Sequence, residues 1–161
     1  MIEYLDVLRW LHILGATVLF GTGAGIAFFM LMAHRTGNAE IIAHTASVVV
    51  IADWVFTASA VVLQPITGYL LAAEIGWSIG EGWVVAALAL YVITGLFWLP
   101  VIWMQKEMRD LARAAHANGL LLSKRYHVLF RTWFLFGFPA FFSVLIIFWL
   151  MITRPSLGVI F

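Results

Sequence analysis

The sequence predicts an all-α polytopic membrane protein, an antiparallel bundle of four transmembrane helices with a helical overhang on the cytoplasmic side. Of the 161 residues, 64% are hydrophobic and 11% are charged, whereas soluble domains have about 25% charged residues. The charged residues are clustered, and four long uncharged stretches separate the clusters. Each stretch is long enough to cross a bilayer as a helix.

The four uncharged stretches define the expected helices in chain order. They cover residues 10–33, 54–73, 82–105 and 132–153. With their flanking turns, the spans fall at about residues 7–33, 52–74, 83–105 and 131–153. A membrane protein made of strands would need a closed barrel with alternating side chains, and the stretches do not alternate in this way. We therefore expect one four-helix domain over residues 1–161.

The predicted helices continue beyond the membrane at two places. Residues 38–53 and 106–131 keep a helical pattern but contain charged side chains. Gly37 and Gly119, each next to an asparagine, supply the chemistry of helix ends and turns. We expect the helices to break at these glycines and to form the overhang.

The distribution of basic residues predicts the orientation. Six of the nine Lys and Arg residues lie in or beside the connection between the third and fourth spans: Lys106, Arg109, Arg113, Lys124, Arg125 and Arg131. The connection over residues 74–81 holds two acidic residues and no basic one. Because basic residues concentrate on the cytoplasmic side, both termini and this middle connection are expected on the outer, periplasmic side.

Composition also excludes several classes of function. The net charge is +1, so the chain lacks the basic excess that neutralises phosphates, and nucleic acid is not an expected partner. The absence of cysteine excludes disulfides, iron–sulfur clusters and covalently attached haem. Any metal would have to be bound by His, Met, carboxylate or backbone groups.

His12 is the candidate metal ligand within the membrane. It shares a face of the first span with Gly15 and Gly23 at about 100° per residue. One interpretation is tight helix packing around a hydrogen-bonded histidine. The other is a groove for a flat porphyrin, with His12 as the axial ligand of a haem iron.

Three further residues are candidates for the same space. Gln64 falls near mid-depth in the second span, and Tyr91 and Trp98 share a face of the third span. Together with His12, these side chains are expected to line a haem b pocket. A second histidine ligand is not expected, because His34 is about 33 Å from His12 along the helix axis.

Other polar groups in the spans need partners. Asp53 and Arg131 both fall near the inner interface, and we expect a structural ion pair, which is the usual way in which a membrane protein tolerates ionised groups. Pro65 removes a helical hydrogen bond and leaves the carbonyl group of Val61 in need of another donor.

Several short motifs are spread along the chain. They read LRWLHILG at residues 8–15, GTG at 21–23, ADW at 52–54, LQPITG at 63–68 and WLP at 98–100. In these motifs the chain resembles a family of small bacterial four-helix integral membrane proteins of unknown function. The resemblance covers nearly the whole chain and implies the bacterial cytoplasmic membrane as its location.

A more distant resemblance concerns the Leu-His pair at residues 11–12 and His34 near the other end of the first helix. These residues are similar to positions in the membrane-bound, haem-containing protoporphyrinogen oxidase family and in the four-helix copper-resistance membrane proteins. In the oxidase family the early histidine ligates haem, which implies the same role for His12. The Trp-Leu-His-x-Lys motif of a later helix in that family has no counterpart in this sequence.

Three functional hypotheses follow. The first is a haem b protein with a redox or small-molecule role, such as that of a membrane oxidoreductase, with His12 as the axial ligand. The second is a cofactor-free scaffold or accessory subunit, in which Gly21 and Gly25 contact another membrane protein or a second copy of the chain. The third is a small-solute channel or transporter that uses the polar stripe from Asp53 to Gln64.

Overall fold

The computed structural model describes residues 3–158 and contains four long helices in this range. They are α1 (Tyr4–Thr36), α2 (Ala39–Ile75), α3 (Gly82–Ala117) and α4 (Lys124–Thr153). Each is long and apolar enough to cross a membrane, and each contains one of the predicted spans. The 36 residues of α3 extend about 54 Å, well beyond a hydrocarbon layer of about 30 Å. The predicted fold class is confirmed.

The helices end where turn residues interrupt the apolar pattern. Gly37 follows α1 in the left-handed conformation, with φ of 64°, and the Asn38 side chain accepts hydrogen bonds from the first turn of α2. Gly119 also has a positive φ of 62°, and the Ser123 side chain caps α4. The two breaks predicted from glycine and asparagine are therefore confirmed.

A π-helical turn interrupts α2, which the sequence analysis did not predict. It covers Asp53–Thr57 and lies between the α-helical segments Ala39–Ala52 and Ala58–Ile75. The backbone N–H of Ala58 donates to the carbonyl of Asp53, five residues back. Such a turn contains one more residue than an α-helical turn and is frequent at functional sites.

The bundle has two differently packed halves. We call the half with the connections at residues 37–38 and 118–123 the loop half, and the opposite half, with residues 76–81 and both ends of the described chain, the terminal half. The main hydrophobic core lies in the loop half and consists of Ile26, Met30, Ala33, Ile42, Ala43, Ala46, Val49, Met104, Met108, Ala112, Tyr126, Leu129, Phe130 and Trp133. Most of these residues lie outside the predicted spans.

The terminal half and the middle of the bundle lie outside this core, and several of their glycines are on the exposed surface of the helices. A Cβ atom added at Gly21, Gly23, Gly95 or Gly137 would meet no atom within 4 Å. Contacts between helices are local there: the ring of Phe20 on α1 stacks on that of Phe141 on α4, with centroids 5.2 Å apart. Individual contacts, not a continuous core, therefore hold this half together.

Candidate functional site

α1 and α2 meet in the terminal half through a pair of hydrogen bonds. His12 Nδ1 lies 2.8 Å from Thr67 Oγ1. Gln64 Nε2 donates to the carbonyl oxygen of His12 at 2.8 Å. Thr67 is buried, while the imidazole of His12 is half-buried. Both helices are therefore fixed against each other at the depth of the candidate ligand.

The hydrogen bonds of Thr67 bear on which nitrogen of His12 carries the proton. The hydroxyl has one hydrogen, and the carbonyl of Leu63 lies 2.8 Å from its oxygen. When the hydroxyl donates to Leu63, Thr67 Oγ1 accepts from His12 Nδ1–H. The lone pair of the neutral imidazole is then on Nε2, which makes no hydrogen bond to any group in residues 3–158. This is the arrangement of a histidine that binds a metal through Nε2.

The helices approach closely on either side of His12. A Cβ at Gly15 would collide with Gln64 Nε2, and a Cβ at Gly68 would lie 3.2 Å from His12 Cε1. Gln64 thus fills the space beside Gly15 that the sequence suggested as part of a porphyrin groove. The tight packing around a hydrogen-bonded histidine, expected as the alternative, is present at this position.

Tyr91 satisfies the carbonyl group that Pro65 leaves without a helical partner. Its hydroxyl on α3 donates to the carbonyl oxygen of Val61 on α2. The prediction that this carbonyl needs another donor is confirmed. Tyr91 therefore has a specific structural role in joining α2 to α3.

Trp98 lies in a different part of the bundle from His12. Its indole Nε1 donates to Asp53 Oδ1 at 3.4 Å, at the start of the π-helical turn. Asp53 and Thr67, the partner of His12, are about 21 Å apart along the axis of α2. Of the three candidates, only Gln64 contacts His12. Tyr91 and Trp98 bond to other residues, so the four side chains do not surround one space.

The predicted ion pair between Asp53 and Arg131 is not formed. Arg131 is exposed, whereas Asp53 is buried with 4% of its surface accessible. The ion pairs within residues 3–158 join Arg9 to Asp6, Arg109 to Asp110 and Arg125 to Glu107. The sequence predicts similar depths in the membrane for Asp53 and Arg131, but the helix faces that carry them do not meet.

Thr67 is the site residue that the sequence analysis missed. It lies next to Gly68 in the LQPITG motif and at a depth similar to that of His12. A polar side chain beside a glycine at the depth of a buried histidine was the available signal, because both helices must come close for the two groups to bond. The predicted polar stripe from Asp53 to Gln64 ends before Thr67.

Comparison with known proteins identifies the family. The model of a family described as "Predicted integral membrane protein (DUF2269)" matches residues 6–155. The chain matches no curated protein and no solved structure. The family match covers nearly the whole chain and agrees with the four apolar helices. The chain therefore belongs to this family of predicted integral membrane proteins.

Proposed function

We propose that the protein binds haem b in the membrane, with His12 as the axial ligand of the iron through Nε2. The observation that supports this proposal is the hydrogen bond between His12 Nδ1 and Thr67 Oγ1. It holds the ring orientation and, in the tautomer with the proton on Nδ1, leaves the Nε2 lone pair free for a metal.

The set of available ligands also fits a haem better than a metal ion held by side chains alone. In residues 3–158, no three His, Cys, Asp or Glu side chains are grouped so that they could hold a metal ion. A porphyrin supplies four nitrogen ligands itself, so a single histidine is a sufficient protein ligand.

The chain's own residues would position His12 and keep its Nε2 accessible. Thr67 holds the Nδ1 proton, and Gln64 holds the backbone of α1 in place. Bound haem would supply an iron centre for electron transfer or for reaction with a small molecule. Since the chain offers one histidine at this depth, bound haem would supply chemistry suited to a small-molecule role.

The test is the absorption spectrum of the protein purified in mild detergent after expression with ample haem. We expect a Soret band and a stoichiometric b-type pyridine haemochrome. His12→Ala is expected to abolish the band, and the exposed histidine variant His116→Ala is expected to retain it. Thr67→Val, which removes the acceptor of the Nδ1 proton, is expected to lower haem affinity about 10-fold or more.

Two results would contradict the haem proposal. One is a colourless wild-type protein that is folded and was supplied with haem. The other is a His12→Ala variant with an unchanged Soret band, which would assign the iron to another ligand.

A second candidate function is that of a scaffold or accessory subunit, and the glycines of α1 favour it. Gly21 is exposed, and no atom of the described chain lies within 4 Å of its added Cβ. Gly25, one turn later, would meet only the edge of Phe29 at 4.0 Å. Such a small-residue surface allows close approach by another membrane helix. Gly21→Leu with Gly25→Leu should change the oligomer size in detergent, and an unchanged size would argue against this assembly surface.

We further propose that both termini face the outer side of a bacterial cytoplasmic membrane. The basic residues near the loop half support this orientation. The natural chain has no cysteine, so single cysteines can be labelled without background. Ser78→Cys should react with an impermeant maleimide in intact cells, and Leu121→Cys only after permeabilisation. The reverse pattern would overturn the orientation.

A further inference from the structure

Three buried side-chain oxygens on α2 and α3 have no hydrogen-bond partner in residues 3–158. They are Asp53 Oδ2, Thr57 Oγ1 and Gln105 Oε1. Their residues are only 4%, 6% and 2% exposed, and the side chains of Thr57 and Gln105 adjoin the carboxylate of Asp53. A buried polar atom without a partner costs about 1–3 kcal/mol. Three such atoms around one carboxylate therefore indicate a binding site.

No basic side chain in the described part of the protein pairs with this carboxylate. The hydrogen bond from Trp98 Nε1 reaches Oδ1 and is long, at 3.4 Å. The amine of Lys106 lies over the ring of Trp54 instead, 5.8 Å from its centroid. Arg131 is exposed. The buried carboxyl group of Asp53 is therefore neutralised by a proton or by a bound cation, and not by a Lys or Arg side chain.

The local backbone and packing leave room for a small ion. Asp53 begins the π-helical turn and Thr57 ends it, while Gln105 approaches from α3. A small cavity beside the carboxylate is lined by Asp53, Trp54, Ala58, Trp98 and Ile102, and it is large enough for about one water-sized molecule. Of the three donor residues, Asp53 lines this cavity, and Thr57 and Gln105 adjoin its carboxylate from two helices.

The chemistry of the donors defines the class of ligand. All three are oxygens, which suit hard cations, whereas nitrogen and sulfur donors would suit transition metals. One carboxylate, one hydroxyl and one amide carry a total charge of −1, which a monovalent cation balances. We propose that Asp53, Thr57 and Gln105 form a binding site for a small alkali cation. The site is separate from His12 and does not depend on haem binding.

Infrared difference spectroscopy with sodium as the probe can test the site directly. The full chain would be placed in lipid nanodiscs in choline buffer, and NaCl would replace choline chloride at constant ionic strength. We expect a shift of a carboxylate stretching band that Asp53→Asn abolishes. Asp110→Asn removes an exposed carboxylate of α3 (58% exposed side chain) and should leave the shift intact.

The two neutral ligands provide an independent measurement. Thr57→Val and Gln105→Leu each remove one oxygen donor while keeping the carboxylate, and each should weaken sodium binding about 10-fold. Sodium should also raise the thermal unfolding midpoint of the wild type relative to choline, because a ligand that binds only the folded state stabilises it. The midpoint of Asp53→Asn should not respond to sodium.

Two outcomes would overturn the proposal. A C=O stretch of a protonated acid at Asp53, unchanged by sodium, would show that a proton balances the charge and that no cation binds. Wild-type sodium affinity in both Thr57→Val and Gln105→Leu would show that these oxygens are not ligands. The second result decides the question even if Asp53→Asn fails to fold.

Discussion

The loop half and the terminal half of this bundle are built from the same four helices but are held together in different ways. In the loop half, large side chains such as Tyr126, Met30 and Met108 are fully buried. In the terminal half, the helices are joined by hydrogen bonds, such as those of His12 and Tyr91, by close approaches at Gly15 and Gly68, and by separate buried side chains such as Leu8 and Trp83. The comparison shows where each kind of interaction is effective.

The surroundings of the two halves explain the difference. Most core residues of the loop half lie outside the predicted spans, in the part of the bundle that we expect to extend beyond the hydrocarbon layer. There, removing apolar surface from water is favourable. Within lipid, the tails are as apolar as leucine, so helices associate through close packing and hydrogen bonds instead. This explains why the apolar core lies in the half that we expect to contact water.

The largest loss of stability is expected from a substitution in the aromatic core of the loop half. Tyr126 has 0% of its surface exposed, and its hydroxyl lies 3.2 Å from His34 Nδ1. We expect Tyr126→Ala to lower the free energy of unfolding by about 3–5 kcal/mol, because it leaves a cavity in a packed core. The measurement is unfolding in mixed micelles.

Tyr126→Phe serves as the control for this variant. It keeps the ring and removes only the hydrogen bond with His34, so the expected loss is about 1 kcal/mol. A similar loss for both variants would show that the hydrogen bond, not burial of the ring, accounts for the stability of this half.

The close approach at Gly15 tests the terminal half with a smaller expected effect. Gly15→Ala places a methyl group where the amide of Gln64 lies. Since that amide is the end of a flexible side chain, it can move away and give up its bond to the His12 carbonyl. We expect a loss of about 1 kcal/mol in the free energy of unfolding.

A double-mutant cycle checks the cause of that loss. Gln64→Ala alone should cost about 0.6–1 kcal/mol. In the Gln64→Ala background, Gly15→Ala should cost almost nothing, because the amide that it would displace is gone. Additive losses would contradict the assigned contact.

The smallest effect is expected for Gly21→Ala. This is the same substitution as Gly15→Ala on the same helix, but at a position without a neighbouring side chain. Its added Cβ meets no atom within 4 Å, so Gly21→Ala should change the free energy of unfolding by less than about 0.5 kcal/mol. A larger loss in the same mixed micelles would point to a partner helix on this surface, as in the scaffold hypothesis.

The fold could be predicted from the sequence because its signals are local or additive. Helix length follows from uncharged stretches, and the breaks follow from Gly37 and Gly119, whose backbones adopt positive φ. The partner requirement of Val61 follows from Pro65, four residues later. Each of these predictions needs only the covalent chemistry of a few neighbouring residues.

The site was harder to predict because it depends on how the helices rotate. Depth along the membrane can be read from position in a span, and it correctly placed Gln64 near His12. Rotation about the helix axis cannot be read in this way, which is why Arg131 was assigned to Asp53. The residues that do adjoin Asp53 are Thr57, Trp98 and Gln105, and Gln105 was not singled out as a candidate.

The π-helical turn at Asp53–Thr57 also sets the phase between the two halves of α2. Because it contains one residue more than an α-helical turn, it rotates the segment Ala58–Ile75 by about 100° relative to Ala39–Ala52. Deleting a single lipid-exposed residue there, such as Val55, would restore a continuous α-helix and turn Thr67 away from His12. One additional residue in α2 therefore allows a single helix to present one face to the loop-half core and a different face to α1.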